Sequence, residues 1–71
     1  MDNKLIITKA IEHAMQLSKR DMNQRCYYLV NIIAAIDTHL PELLPITKKL
    51  KGLYSPTDRT FRALHKIVVA Q

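Results

Sequence analysis

The residues best suited to binding chemistry are six cations in the last third of the chain, namely Lys48, Lys49, Lys51, Arg59, Arg62 and Lys66. Residues 48–71 carry these six bases and one acid, a net charge of +5, whereas residues 1–47 carry five bases and five acids and are neutral. Lys and Arg side chains spaced along one element can contact successive phosphates of a nucleic acid. This asymmetry favours a polyanionic or acidic partner for the C-terminal end. The alternative is a solvated face that only keeps a small protein soluble.

Catalytic and metal-binding patterns are weak in this sequence. The single cysteine, Cys26, would need a neighbouring His13, His39 or His65 to act as a nucleophile or a zinc ligand, and no close spacing joins them. The single glycine excludes a Gly-rich phosphate loop, and the six acids are distributed singly. We therefore expect no enzyme, no cofactor and no metal site, with Cys26 packed in the core as a small hydrophobic residue.

The elements that must position these side chains are predicted to be helices. Hydrophobic periodicity predicts four helices, at about residues 3–19, 21–39, 45–51 and 56–70, in a small all-α bundle. Asp2 or Asn3 is expected to cap the first helix, and Asp21 followed by Gln24 indicates the start of the second. The third helix is the least defined, since Pro41 could instead open a longer helix that contains Pro45. Residues 1–71 thus form one domain, in which residues 1–40 are a helical hairpin and residues 45–71 a basic segment.

The second predicted helix has the strongest periodicity. Its apolar residues recur at intervals of four and three in the order Met22, Cys26, Leu29, Ile33, Ile36 and Leu40. Such spacing is typical of a helix that packs along its length against another helix. On another side, Ala34 and Ala35 are small enough to let a further helix approach near Tyr27. We expect this helix to form a dimer or partner contact through Met22, Cys26, Tyr27, Leu29, Ile33 and Ile36.

The last predicted helix has a strong start signal and two contrasting sides. Ser55, Pro56 and Asp58 are placed as N-cap, first helical residue and third helical residue of a capping box. At about 100° per residue, one side collects Phe61, Leu64, Ile67 and Val68, and the other collects Arg59, Arg62 and Lys66. Since the apolar side must enter the core, we expect the basic side to face outward.

The order of helix, turn and helix from Ile46 to Leu64 resembles a DNA-reading helix-turn-helix, and the stretch from Asp58 to Ile67 is similar to the recognition helices of winged-helix regulators. This resemblance implies that Arg59 and Arg62, in the first turns, approach base edges. The chain departs from the compact motif at Lys48, where a small residue is usual, and at Asp58, where a core residue is usual. The resemblance is one of motif shape, and any helical hairpin with a capped second helix would share it.

Length and composition complete the expectations. A chain of 71 residues with 48% hydrophobic residues can form a core but is marginal alone, and one cysteine cannot form an intrachain disulfide. Association as a homodimer or hetero-complex is therefore expected. The longest nearly apolar run, residues 26–36, is too short for a membrane span and no signal peptide is evident, so we expect a cytoplasmic protein.

The leading hypothesis is a non-enzymatic DNA-binding regulator that contacts duplex DNA. The alternative is a helical interaction module (adaptor, inhibitor or small chaperone) that binds an acidic or helical protein.

Overall fold

The computed structural model describes residues 2–51 and 55–71. Four α-helices follow one another along the chain: α1 (Asn3–Gln16), α2 (Met22–His39), α3 (Leu44–Lys51) and α4 (Asp58–Val69), with a 3-10 turn (Pro41–Leu43) before α3. The described residues contain no strand. The prediction of a small all-α bundle of four helices is confirmed.

Side-chain caps define the first two helix starts as predicted. The carboxylate of Asp2 accepts hydrogen bonds from the backbone N–H groups of Lys4 and Leu5, at 3.0 and 3.3 Å. Asp21 accepts a bond from the backbone N–H of Gln24 at 3.1 Å. These bonds satisfy N–H groups that have no acceptor within the helix.

Helix α1 ends at Gln16, three residues earlier than expected. Leu17 leaves the helix with an extended backbone, φ −66° and ψ 151°. Its carbonyl oxygen then accepts two hydrogen bonds from the guanidinium of Arg25 on α2. The tertiary contact between Arg25 and Leu17 therefore coincides with the end of α1. The hydrophobic periodicity of the sequence does not predict this contact.

Two prolines shape the segment between α2 and α3. Helix α2 ends at His39, and Leu40 takes a non-helical conformation before Pro41, as the steric preference of that position requires. The 3-10 turn follows, and Pro45 is the second residue of α3, where a missing N–H removes no helical bond. The α3 helix thus begins one residue before the predicted start at Pro45, and the 3-10 turn that opens at Pro41 is a separate element. Gly52, which follows α3 in the sequence, lies outside the described residues.

Helix α4 begins later than predicted. The N-cap is Thr57, whose hydroxyl accepts the Thr60 N–H at 3.4 Å, rather than Ser55. Asp58, expected at the third helical position of a capping box, is the first helical residue. Its carboxylate contacts cationic side chains of the N-terminal half of the chain instead of capping the backbone.

The core lies where α1 meets α2 and α4. Helix α4 packs mainly on α1, and α3 packs on α2 and on the 3-10 turn. The buried apolar residues come from α1, α2, the 3-10 turn and α4, and they include Ile7, Ile11, Ala14, Leu29, Ile32, Ile33, Ile36, Leu43, Phe61, Leu64 and Val68. The predicted apolar side of α4 is thus confirmed, and it determines which side of that helix faces solvent.

The apolar face of α2 is displaced from the predicted seam. Leu29, Ile33 and Ile36 are buried as members of that seam, but Met22 and Cys26 are exposed. The buried stripe begins at Arg25 and continues through Leu29, Ile32 and Ile36, again at intervals of four, three and four. The burial of the charged residue Arg25 moves the centre of the packed face by one position from the predicted seam.

Candidate nucleic-acid interface

Helix α4 presents a row of cations to solvent. Arg59, Arg62 and Lys66 are all exposed, whereas Phe61, Leu64 and Val68 on the opposite flank are at most 1% exposed. From Arg59 to Lys66 the row extends about 10 Å at 1.5 Å per residue. That length matches roughly three phosphates of one DNA strand at 3.4 Å axial spacing.

The α4 row is not neutralised by any acid that the structure describes. Among the residues that the structure describes, no ion pair involves Arg59, Arg62 or Lys66. The Nε–H of Arg62 donates to the backbone carbonyl of Asp58 at 3.4 Å, which orients its guanidinium along the helix. The row is therefore an exposed positive surface on the described part of the chain.

Asp58 could weaken this charge, but its carboxylate binds elsewhere. One oxygen accepts a hydrogen bond from Arg25 Nη2 at 2.7 Å, and the other lies 3.3 Å from Lys19 Nζ. Asp58 is the only acid of residues 48–71, and its negative charge is thus balanced by two cations from residues 1–47. The hydrogen bond from Arg25, followed by the hydrogen bond and charge of Lys19, lowers the pKa of Asp58 below its ordinary value of 3.8, although desolvation acts in the opposite direction.

Arg25 anchors the start of α4 from within the core, and sequence reasoning missed it. Its side chain is 2% exposed, and its guanidinium donates to the carbonyl oxygens of Met15, Leu17 and Pro56 as well as to Asp58. The guanidinium carbon also lies 5.7 Å from the ring centroid of Phe61. Five donors in a fixed planar fork suit Arg for this role. The arrangement joins the α1–α2 connection to the first turn of α4.

The lysines of α3 are a separate group. Lys48 and Lys49 are exposed, and the side chain of Lys51 lies outside the described residues. Helix α3 is held on α2 by a hydrogen bond from the hydroxyl of Thr47 to Asp37 Oδ1 at 2.6 Å. Because α3 packs on α2 and α4 packs on α1, the packing adds no support for a compact helix-turn-helix. Its turn includes residues 52–54, which the structure does not describe.

The expected contact residues of α2 divide between core and surface. Leu29, Ile33 and Ile36 are at most 3% exposed and contact other helices of the same chain, so they cannot touch a partner. Met22, Cys26 and Tyr27 are exposed. The expectation of a buried Cys26 is wrong, because the packed face centres on Arg25 instead.

Tyr27 borders an apolar groove of about 260 Å³ between α1 and α2. Ile7 and Ile32 form its buried base, and Ile6 and Tyr27 stand at its margins, 48% and 69% exposed. Tyr28, half-buried, completes an aromatic cluster with Tyr27 and His13, at ring centroid distances of 6.2 and 5.5 Å. None of the described residues that line the groove is charged.

The described ranges give little support for a metal site or a membrane-spanning helix. There, no three His, Cys, Asp or Glu side chains come close enough together to hold a metal ion. In the same ranges, no single helix has the length and apolar content to cross a membrane. Helix α2 and residues 41–49 reach that length and apolar content only when they are counted together, and the two segments are bent by 113° relative to each other.

Comparison of this chain with models of protein families, with curated proteins and with solved structures finds no match.

Proposed function

We propose that this protein is a non-enzymatic nucleic-acid-binding protein, a DNA-binding regulator that contacts the phosphate backbone of duplex DNA through the outer side of α4.

The observation that carries this proposal is the solvent-facing row of Arg59, Arg62 and Lys66 on a helix whose other side is buried. Within the described part of the chain, the row forms no ion pair. Exposed cations are attracted to a phosphate backbone and release its condensed counterions on binding. Asp58 is the only acid of α4, and its carboxylate binds Arg25 and Lys19. No carboxylate of α4 therefore competes with phosphate groups for the cations of the row. Lys48 and Lys49 on α3, both exposed, would add contacts at a second point.

We expect the outer side of α4 to approach a groove of the duplex. Ala63 and Ala70, both exposed, lie between or beside the cations at 100° per residue. Small side chains at these positions let the helix backbone approach the duplex while the longer cations reach the phosphates on either side. Arg59 and Arg62, in the first turns, are the residues we expect nearest to the bases.

Charge removal at two matched places tests the proposal. The variant Arg59→Gln/Arg62→Gln/Lys66→Gln is compared with Lys4→Gln/Lys9→Gln/Arg20→Gln, which removes the same charge from residues outside α4. Binding to a fluorescent 20-base-pair duplex is measured by anisotropy at low salt. We expect the α4 variant to lose at least about tenfold in affinity, and the control variant to lose far less. Equal losses would indicate attraction by net charge alone, and no binding by the unmodified protein would refute the proposal.

A second candidate is a helical protein-interaction module. The apolar groove between α1 and α2 favours it, because an exposed groove of this kind is a typical docking place for a helix or a large side chain. In that function, replacing Tyr27 rather than the α4 cations would abolish the activity.

A further inference from the structure

We propose that the groove between α1 and α2 is a homodimer interface, in which Tyr27 of each protomer enters the groove of its partner. This inference is independent of the nucleic-acid proposal, because no residue of α4 lines the groove.

The groove and its margins are complementary in shape. Ala10 on α1 and Ala35 on α2 are short side chains that leave space above the buried Ile7 and Ile32. Tyr27 projects beside that space and is 69% exposed, so roughly 100–170 Å² of its surface is open to solvent if a whole aromatic residue offers about 150–250 Å². A two-fold interface requires one patch that contains both a recess and a projection. This patch contains both.

The charge distribution favours a second copy over a charged partner. The lining of the groove is uncharged, so it offers no ion-pairing group to select an acidic or basic protein. The net charge of +5 arises from residues 48–71, and none of the residues described in that range lines the groove. Two protomers can therefore join at this face without placing the α4 rows in the interface, where repulsion between like charges would oppose association.

The polar atoms of the groove are compatible with an entering tyrosine. Asn31 Nδ2 already donates to the carbonyl oxygen of Tyr27 at 3.0 Å. Its amide oxygen is thus the acceptor that an incoming phenolic hydroxyl would meet, and a buried tyrosine hydroxyl needs such a partner.

The available area predicts a reversible dimer. Helices of 14 and 18 residues side by side, each about 10 Å wide, form a face of roughly 500 Å² per protomer. The pair then buries about 1,000 Å², near the lower limit for specific interfaces. Association should accordingly depend on concentration.

The first experiment measures mass by sedimentation equilibrium on the full chain, from roughly 10 µM to 1 mM. We expect a monomer–dimer equilibrium whose dissociation constant rises at least tenfold in Tyr27→Glu and in Ile6→Glu. Val30→Glu is the matched control, because Val30 is 53% exposed on the same helix but does not line the groove. Circular dichroism of each variant establishes that it is folded, and should Tyr27→Glu unfold, Tyr27→Ala replaces it.

A second experiment uses Cys26, the only cysteine, which is exposed and does not line the groove. A nitroxide attached there should give one dipolar distance between two spins, lost in Tyr27→Glu and retained in Val30→Glu. A strictly monomeric protein at the highest concentration, larger open-ended assemblies, or a dimer that only Val30→Glu disrupts would each overturn the inference. A monomer would leave the groove to a different protein or a small apolar ligand.

Discussion

Arg25 and Asp58 are 33 positions apart in sequence, and their guanidinium and carboxylate are joined by a bond of 2.7 Å. Arg25 is 2% exposed, and the side chain of Asp58 is 29% exposed. The pair links the start of α2 to the start of α4, so the orientation of the candidate binding helix depends on a buried cation in the opposite half of the chain.

Replacing Arg25 should destabilise the fold. In Arg25→Met, the carbonyls of Met15, Leu17 and Pro56 lose a donor and Asp58 loses its strongest partner, so we expect the free energy of unfolding to fall by roughly 2–4 kcal/mol. Urea denaturation followed by circular dichroism measures this. Arg25→Lys should recover only part of the loss, because an ammonium lacks the planar fork. Lys19→Ala is the control, since Lys19 is 79% exposed, and a loss as large as that of Arg25→Met would contradict the assignment.

Acid should remove the contribution of the Asp58 carboxylate. Its pKa is lower in the folded protein than its ordinary value of 3.8, so folding favours the charged form. The stabilisation is complete above the unfolded pKa and decreases as the pH falls from about 4 through the folded pKa. Unfolding measured from pH 7 to pH 2 should show that Asp58→Asn is less stable than the unmodified protein at neutral pH and that the difference narrows below about pH 4. A difference that stays constant to pH 2 would contradict this role.

The hydroxyl of Thr47 should stabilise α3 on α2. Thr47 is 1% exposed and donates to Asp37 at 2.6 Å. Thr47→Val keeps the shape but removes the donor, and we expect a loss of about 1–2 kcal/mol in the free energy of unfolding. Thr47→Ser keeps the hydroxyl and should lose less. Equal losses in the two variants would assign the effect to packing rather than to the hydrogen bond.

Salt should weaken binding to DNA in proportion to the number of phosphate contacts. Four to six contacts predict that the logarithm of the affinity falls with the logarithm of salt concentration at a slope of about −4 to −5. Anisotropy titrations at several potassium chloride concentrations give the slope, and Lys66→Gln should reduce its magnitude by about 1. Affinity that does not change with salt would exclude backbone contacts as the source of binding.

Cys26 should react readily in the native protein. Because its side chain is exposed, a thiol reagent such as Ellman's reagent should modify it in the folded state at a rate within about tenfold of that in urea. Cys26→Ser should change the free energy of unfolding by no more than about 0.5 kcal/mol. Strong protection in dilute native protein would show that the thiol is covered.

The sequence alone determined the helices, two of the three predicted N-caps and the two sides of α4. These features follow from local rules: apolar residues recur at the helical period, carboxylates cap nearby N–H groups, and proline disfavours the helical conformation before it. The exposure of Arg59, Arg62 and Lys66 could be predicted because Phe61, Leu64 and Val68 determine which side of the same helix is buried.

The tertiary structure alone decided the role of Arg25 and, through it, the face that α2 packs. Residue type predicts that arginine is at the surface, since burying an unpaired charge is costly. The burial of Arg25 is compensated by three backbone carbonyls and one carboxylate from segments distant in sequence, and no local pattern reveals that these will meet. The same long-range contact coincides with the early end of α1, occupies Asp58 and leaves Cys26 in solvent.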